Sequence, residues 1–149
     1  MRLIFLDFDG VLHPVEPELL GLERFCWLPV LNRLLAGHAD VYIVVHSTWR
    51  YEYTDPELRV LLGPLGKRFA GSAPRAPREL AIETVLQANR LIHHHLVLDD
   101  DLREFSGATV NLLLLDSQRG LSDEGAQSEL AAWLLSTTPA ETTAQGRDT

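Results

Sequence analysis

Three short apolar runs in this chain each stop at a polar cluster: Leu3-Ile4-Phe5-Leu6 at Asp7-Phe8-Asp9-Gly10, Val41-Tyr42-Ile43-Val44-Val45 at His46-Ser47-Thr48, and Leu96-Val97-Leu98 at Asp99-Asp100-Asp101. A continuous apolar run of this length marks a strand buried on both faces, the situation in a parallel sheet covered by helices. The intervening segments supply those helices. Leu28 to Leu35 repeats its apolar residues at i+3 and i+4, Arg78 to Arg90 reads as a helix with Leu80, Ile82, Val85 and Leu86 inward, and Glu124 to Leu135 carries Leu130, Trp133 and Leu134. Asp55 as N-cap and Pro56 at the first helical position open a helix over 55–62, which Gly63-Pro64 ends. A weaker strand near Lys67 to Ala70 and a fifth apolar run, Thr109 to Leu115, complete the set. Alternating strands and helices predict an α/β fold: a Rossmann-like, doubly wound, mainly parallel five-stranded sheet with helices on both faces.

The 149 residues suffice for one core, and we expect a single domain over 1–135. From Ser136 onward Thr, Ala, Gln, Gly and charges predict a disordered tail over 136–149. No apolar stretch reaches the roughly 20 residues of a membrane span, and acids at Asp7 and Asp9 interrupt any secretory h-region. With one cysteine, Cys26, and so no internal disulfide, the cytoplasm is the expected compartment. The net charge of −8 argues against coating a polyanion, so any nucleic-acid contact is expected to be local or completed by a partner protein.

In a doubly wound sheet the carboxyl ends of the strands share one rim, where ligands bind. There Asp7 would point a carboxylate into the site, Asp9 would start the turn, and Gly10 would let the chain bend away. Asp99 and Asp100 bring up to four carboxylates together, and their repulsion calls for a hard, oxygen-preferring cation, Mg2+. A carboxylate beside Mg2+ can attack a phosphoryl group, which makes Asp7 the candidate nucleophile. Ser47 or Thr48 would bind phosphate oxygens, and Arg78, entering its helix, would complete the cradle. His13, Trp49 and Arg50 are candidate substrate contacts, the latter two by stacking on and clamping a nucleotide end. His93-His94-His95 is a junction into a strand, because consecutive strand residues alternate faces and do not converge on one ion.

This ordered set, DxD, then Ser or Thr, then Arg, then paired acids, resembles the haloacid dehalogenase (HAD) superfamily of phosphohydrolases. More narrowly, Phe5 to Pro14, Leu28-Pro29, Ser47-Thr48-Trp49-Arg50, Leu98 to Asp101 and Gly120-Leu121-Ser122 resemble the branch found in Swiss Army knife RNA repair proteins, over about residues 3 to 135. The resemblance implies Asp7 as nucleophile, forming an aspartyl-phosphate, and Asp9 as the acid that protonates the leaving oxygen and then activates water. It implies Mg2+ held by the Asp7 carboxylate, the Asp9 main-chain oxygen and Asp100 or Asp99. It favours Arg78 over Arg75 as the third-motif cation, and Ser47 over Thr48 at the second motif, where His46 replaces a small hydroxyl residue.

The gaps from Gly10 to Leu28 and from Arg50 to Arg78 are too short for a full cap domain, so an open site is expected. An open site suits a phosphate on a large partner, by resemblance an RNA or DNA end, with a repair complex as its setting. A small phosphorylated metabolite or nucleotide, with Glu16 to Phe25 as a short flap, is the alternative substrate. A receiver-like signalling module would carry its paired acids first and its acceptor later, the reverse of the order here. A phosphate-binding module without turnover is the other non-enzymatic reading, against which both Asp7 and Asp9 are present.

Overall fold

The computed structural model describes residues 1–107 and 109–139. Five parallel strands, β1 (Arg2–Leu6), β2 (Val41–Val45), β3 (Phe69–Ser72), β4 (His94–Asp99) and β5 (Leu112–Leu114), stand in the order β3-β2-β1-β4-β5. The chain winds outward from β1 through β2 to β3, then returns to β4 on the other side of β1. The sheet therefore reverses direction between β1 and β4, where a doubly wound fold opens its ligand crevice.

The apolar runs are continuous because both faces are covered. Ile4, Leu6, Ile43, Val45, Leu96 and Leu98 belong to one core layer with residues of α1 (Leu28–Leu35), α2 (Asp55–Leu61) and α4 (Glu124–Ser136). Leu3, Phe5, Val44 and Val97 face the other way, onto Ala81 and Ile82 of α3 (Arg78–Ala88). Leu80, expected inward, is 54% exposed. The buried stripe of α3 is 81, 82, 85 and 86, and at 100° per residue Leu80 falls on its far side.

Three local expectations shift. Thr54, not Asp55, caps α2: it forms a capping box with Glu57, which satisfies orphan N–H groups reciprocally. The third strand begins at Phe69 because Gly63–Arg68 first makes a 3-10 helix. That turn carries the Arg68 guanidinium to the carbonyls of Leu35, His38 and Val41, closing the end of α1. Residues 136–138, expected in the tail, are structured. Helix α4 includes Ser136, and the Thr137 and Thr138 hydroxyls bond back to the Trp133 and Leu134 carbonyls. Buried Arg2 donates to Leu134 and Thr137 as well as to Asp40. The remainder of the expected tail, 140–149, lies outside the described residues.

Between β1 and α1 the described chain makes only one 3-10 helix, Pro17–Leu20. Between β2 and α3 it makes two 3-10 helices, α2 and β3. Among the described residues neither segment holds a cap, and no helix is long and apolar enough to cross a membrane.

Candidate active site

Lateral register assembles the site. Leu6 pairs with Val45 on one side and Leu98 on the other, so the next residues, His46, Asp7 and Asp99, stand abreast where their strands end. The Asp7 N–H bonds to the Leu98 carbonyl and the His46 N–H to that of Leu6, extending the ladder by one step.

Asp7 is 2% exposed. Its Oδ1 accepts from the Phe8 N–H at 2.9 Å and its Oδ2 from Arg78 Nη1 at 3.2 Å. Burial, then the neighbouring Asp99 charge, push its pKa well above the usual carboxylate range, with Arg78 opposing them. Asp99 is fully buried yet saturated with donors: His46 Nε2 at 2.7 Å, Arg78 Nη1 at 2.9 and 2.8 Å, and the Asp101 N–H at 2.9 Å. Burial opposes its ionisation, but the His46 hydrogen bond and then the Arg78 charge overcome burial and hold Asp99 below the usual range. His46, itself buried, is pushed toward its neutral form, so it meets Asp99 as an N–H donor rather than as an ion. For Arg78, burial works against the charge while Asp7 and Asp99 outweigh it, raising the pKa.

Asp100 is half-buried and raised in pKa by burial and by Asp99. It packs beneath Gly10, whose φ of 80° already lies in the left-handed region. A Cβ at Gly10 would run into the Asp100 carboxylate. Gly10→Ala should therefore lower the melting temperature, since backbone strain of about 1–2 kcal/mol adds to that clash. The same variant should also weaken Mg2+ binding, measured by calorimetric titration, because Asp100 must move.

The carboxylate oxygens of Asp7, Asp99 and Asp100 lie within 4.8 Å of one another. An all-oxygen cluster with two acids reluctant to ionise fits a hard divalent cation. Because Asp99 already accepts from His46, Arg78 and Asp101, Asp7 and Asp100 are the carboxylates with capacity to spare.

Asp9 sits at the mouth, its side chain 42% exposed. The His13 hydrogen bond holds its carboxyl below the usual range; burial works the other way, and Trp49 adds to the lowering. Beside it lies an open cleft of about 460 Å³, whose walls include Asp7, Asp9, Arg78, Asp100, Val15 and Ser117. A larger groove of about 600 Å³, lined by Asn32, Tyr42, Lys67 and Arg68 among others, has no acid in its walls. The acids at the strand ends therefore open onto the smaller cleft.

The remaining sequence candidates divide. Arg78 contacts Asp7, whereas Arg75 lies over the Tyr51 ring, so Arg78 and not Arg75 stands at the acids; Arg103 is a second cation in the cleft wall. Ser47 is buried, with its hydroxyl capping a 3-10 helix (Thr48–Tyr51) through the Trp49 N–H; Thr48 is exposed. Neither is among the residues lining the cleft. Arg50 is not at the mouth as a clamp. It is 7% exposed and donates to the carbonyls of His46, Ser47, Ala73, Pro74 and Ala76, tying the end of β2 to the segment that leads into Arg78. His13 and Trp49 turn inward onto Asp9. Asp101 caps the 3-10 turn Leu102–Glu104, as its position before that turn predicts.

Sequence reasoning missed His46 as the partner of Asp99, and Val15 and Ser117 as cleft walls. His46 was findable, because it directly follows Val45 at the same level as Asp7. Val15 and Ser117 carry no chemical signal and are gathered only by the loops that bear them.

The family described as the HAD domain in Swiss Army Knife RNA repair proteins matches residues 3–126. The chain belongs to that family. No curated protein and no solved structure matches it. The match spans Asp7 and Asp9, the Ser47-Thr48-Trp49-Arg50 block, Arg78 and Asp99-Asp100. A parallel α/β sheet with its acids at the strand ends is the fold of a phosphatase-like HAD hydrolase.

Proposed function

We propose that this HAD domain is a Mg2+-dependent phosphomonoesterase that works through an aspartyl-phosphate on Asp7 and takes as substrate the terminal phosphate of a nucleic acid, RNA first. The observation that carries the reading is the placement of Arg78 Nη1 between Asp7 and Asp99 at the wall of an open cleft. A guanidinium there meets both the attacking carboxylate and the oxygens of a phosphate drawn up to it.

Asp7 Oδ attacks phosphorus, the bond from phosphorus to the ester oxygen breaks, and Asp9, loaded with a proton from solvent at its part-exposed carboxyl, delivers that proton to the departing oxygen. Water then attacks the same phosphorus as Asp9 takes its proton. The bond to Asp7 breaks and inorganic phosphate leaves, returning both acids to their starting state. The Asp7 and Asp100 carboxylates would hold Mg2+, joined, by likeness to the family, by the Asp9 main-chain oxygen. The bound cation supplies positive charge against the repulsion between the Asp7 carboxylate and the phosphate oxygens. Arg78 orients the phosphate, and Asp99, held by His46, fixes Arg78.

Openness favours a long substrate over an engulfed one. Two exposed arginines, Arg24 over the Trp49 ring at 5.4 Å and Arg75 over Tyr51 at 4.9 Å, offer guanidinium groups to the phosphates of such a substrate. These contacts are local, as a chain of net charge −8 requires. A small phosphorylated metabolite or nucleotide is the second reading, favoured by a cleft volume of about 460 Å³, which falls within the range of small-ligand pockets.

The deciding experiment measures phosphate release, with and without Mg2+, from 3′- and 5′-phosphorylated RNA and DNA oligonucleotides, mononucleotides and an aryl phosphate. We expect Mg2+-dependent release with oligonucleotide ends preferred over mononucleotides. Release from small esters alone would remove the nucleic-acid assignment. Retained phosphate binding without release from any ester would make the chain a binding module.

A further inference from the structure

We propose that His13 and Trp49 are positioning residues that clamp the Asp9 carboxylate, one N–H donor on each oxygen, in the orientation its proton transfers need. The proposal rests on the reading of Asp9 as the group that protonates the leaving oxygen and deprotonates water.

His13 Nε2 lies 2.8 Å from Asp9 Oδ1, and Trp49 Nε1 lies 3.0 Å from Asp9 Oδ2. An indole nitrogen only donates, so the second bond has one possible direction. The first is fixed by the other side of the imidazole, because His13 Nδ1 accepts the Phe25 N–H at 3.0 Å and so carries no hydrogen. In the neutral ring the hydrogen is then on Nε2, facing Asp9. A carboxylate has about four lone-pair sites, so each Asp9 oxygen keeps a site for a proton or a water after the clamp has formed.

The surroundings are built around this arrangement. His13 is 1% exposed, too deep for the substrate contact its sequence position suggests. The Gly10 N–H bonds to the His13 carbonyl at 2.8 Å, closing the turn that brings residue 13 back beside residue 9. Phe25 has a φ of 62°, a left-handed conformation that is costly for a bulky side chain. That strained backbone delivers its N–H to His13 Nδ1. The Phe25 ring packs edge-on against both His13, at 5.2 Å, and Trp49, at 5.3 Å, so the two donors share one wall. Tyr53 stacks on Trp49 at 5.5 Å.

A clamp of this kind acts only through Asp9, which predicts a leaving-group signature. An ester with a strongly acidic leaving phenol departs without a proton, whereas an alkyl phosphate needs one. The test measures kcat/KM with Mg2+ over a series of aryl phosphates and an alkyl phosphate, for wild type, Trp49→Phe, His13→Leu, His13→Gln and Asp9→Asn. Trp49→Phe and His13→Leu should lose about tenfold or more on the alkyl ester, a fraction of the ~10²–10⁴ that a general acid supplies, and much less on the most acidic phenol. His13→Gln should recover most of the His13→Leu loss, since its amide presents an N–H near the place of Nε2. In an Asp9→Asn background neither Trp49→Phe nor His13→Leu should add a further loss.

Equal losses across all leaving groups, or losses that multiply with Asp9→Asn, would overturn the proposal. Nitrogen-15 NMR of the metal-free protein gives a readout independent of turnover. It should show His13 in the Nε2–H tautomer, and an Nδ1–H ring would overturn the clamp. A wild type inactive on every ester would sink the proposed function and leave the tautomer to decide the clamp. An active wild type with uniform losses sinks the clamp alone.

Discussion

Asp7→Asn should lower phosphate release by at least about a thousandfold, the scale on which removal of a catalytic nucleophile acts, while making the metal-free protein more stable. The loss follows from chemistry, because a neutral amide oxygen is a poor nucleophile toward phosphorus and cannot form the acyl phosphate. The gain in stability follows from geometry. Asp7 is 2% exposed and faces Asp99, and these effects outweigh its 3.2 Å bond to Arg78, leaving its pKa raised. An acid whose pKa is higher folded than unfolded destabilises the fold by ionising. Its favourable contribution is complete below the unfolded pKa of about 3.9 and is lost as pH rises through the folded value. Melting curves in the presence of a chelator should therefore show wild type losing stability from about pH 4 upward, relative to an Asp7→Asn protein whose stability is flatter. Mg2+ should stabilise wild type and have much less effect on the variant, since binding to the folded state alone raises stability by mass action. Activity of Asp7→Asn within tenfold of wild type would remove Asp7 from the nucleophile's place.

The layout of the sheet was legible because its signal is redundant. Each of β1, β2 and β4 announces itself by a run that is apolar at both odd and even positions, and only a strand covered on both sides needs that. The acids at their ends then mark the rim. The third strand was misplaced because Phe69 to Ser72 offers one large apolar residue, while its start is decided by Arg68 reaching three carbonyls at the end of α1. The site divides in the same way. Asp7, Asp9, Arg78 and Asp100 are identified by type and order, because charge at a strand end is conspicuous in sequence. The orientation of His13, Trp49 and Arg50 is not, since an aromatic or basic side chain beside a motif can face substrate or turn back. Here all three turn back, two onto Asp9 and one onto backbone carbonyls, and the deciding contacts come from residues 25, 73, 74 and 76, remote in sequence. His46 stands where a hydroxyl residue was expected; its place at the end of β2 could be read from the sequence, but its hydrogen bond to Asp99 could not.

Arg78→Met should cost about 3–5 kcal/mol of stability at neutral pH and reduce phosphate release to background, whereas Arg78→Lys should keep a measurable share of both. The size of the first effect comes from what Arg78 leaves behind. Its side chain is 15% exposed, and it is the cation that meets both Asp7 and Asp99, which are 3% and 0% exposed. Methionine fills the stem's volume but leaves two buried carboxylates facing each other. The partial rescue comes from a detail of the geometry. One nitrogen, Nη1, makes all three carboxylate contacts, at 3.2, 2.9 and 2.8 Å, so the site uses Arg78 as a point of positive charge rather than as a fork. A lysine ammonium, with three donors, can reproduce a point charge. The Met deficit should shrink toward about pH 4, because protonating the carboxylates removes the unpaired charges, and urea unfolding at both ends of that range measures it. Mg2+ should recover part of the stability of Arg78→Met, by returning positive charge to Asp7, without recovering its activity. Phosphate oxygens drawn toward Asp7 would still lack the guanidinium that meets them. Equal stability of Arg78→Met and wild type at neutral pH would mean that Asp7 and Asp99 are not both ionised in the resting protein.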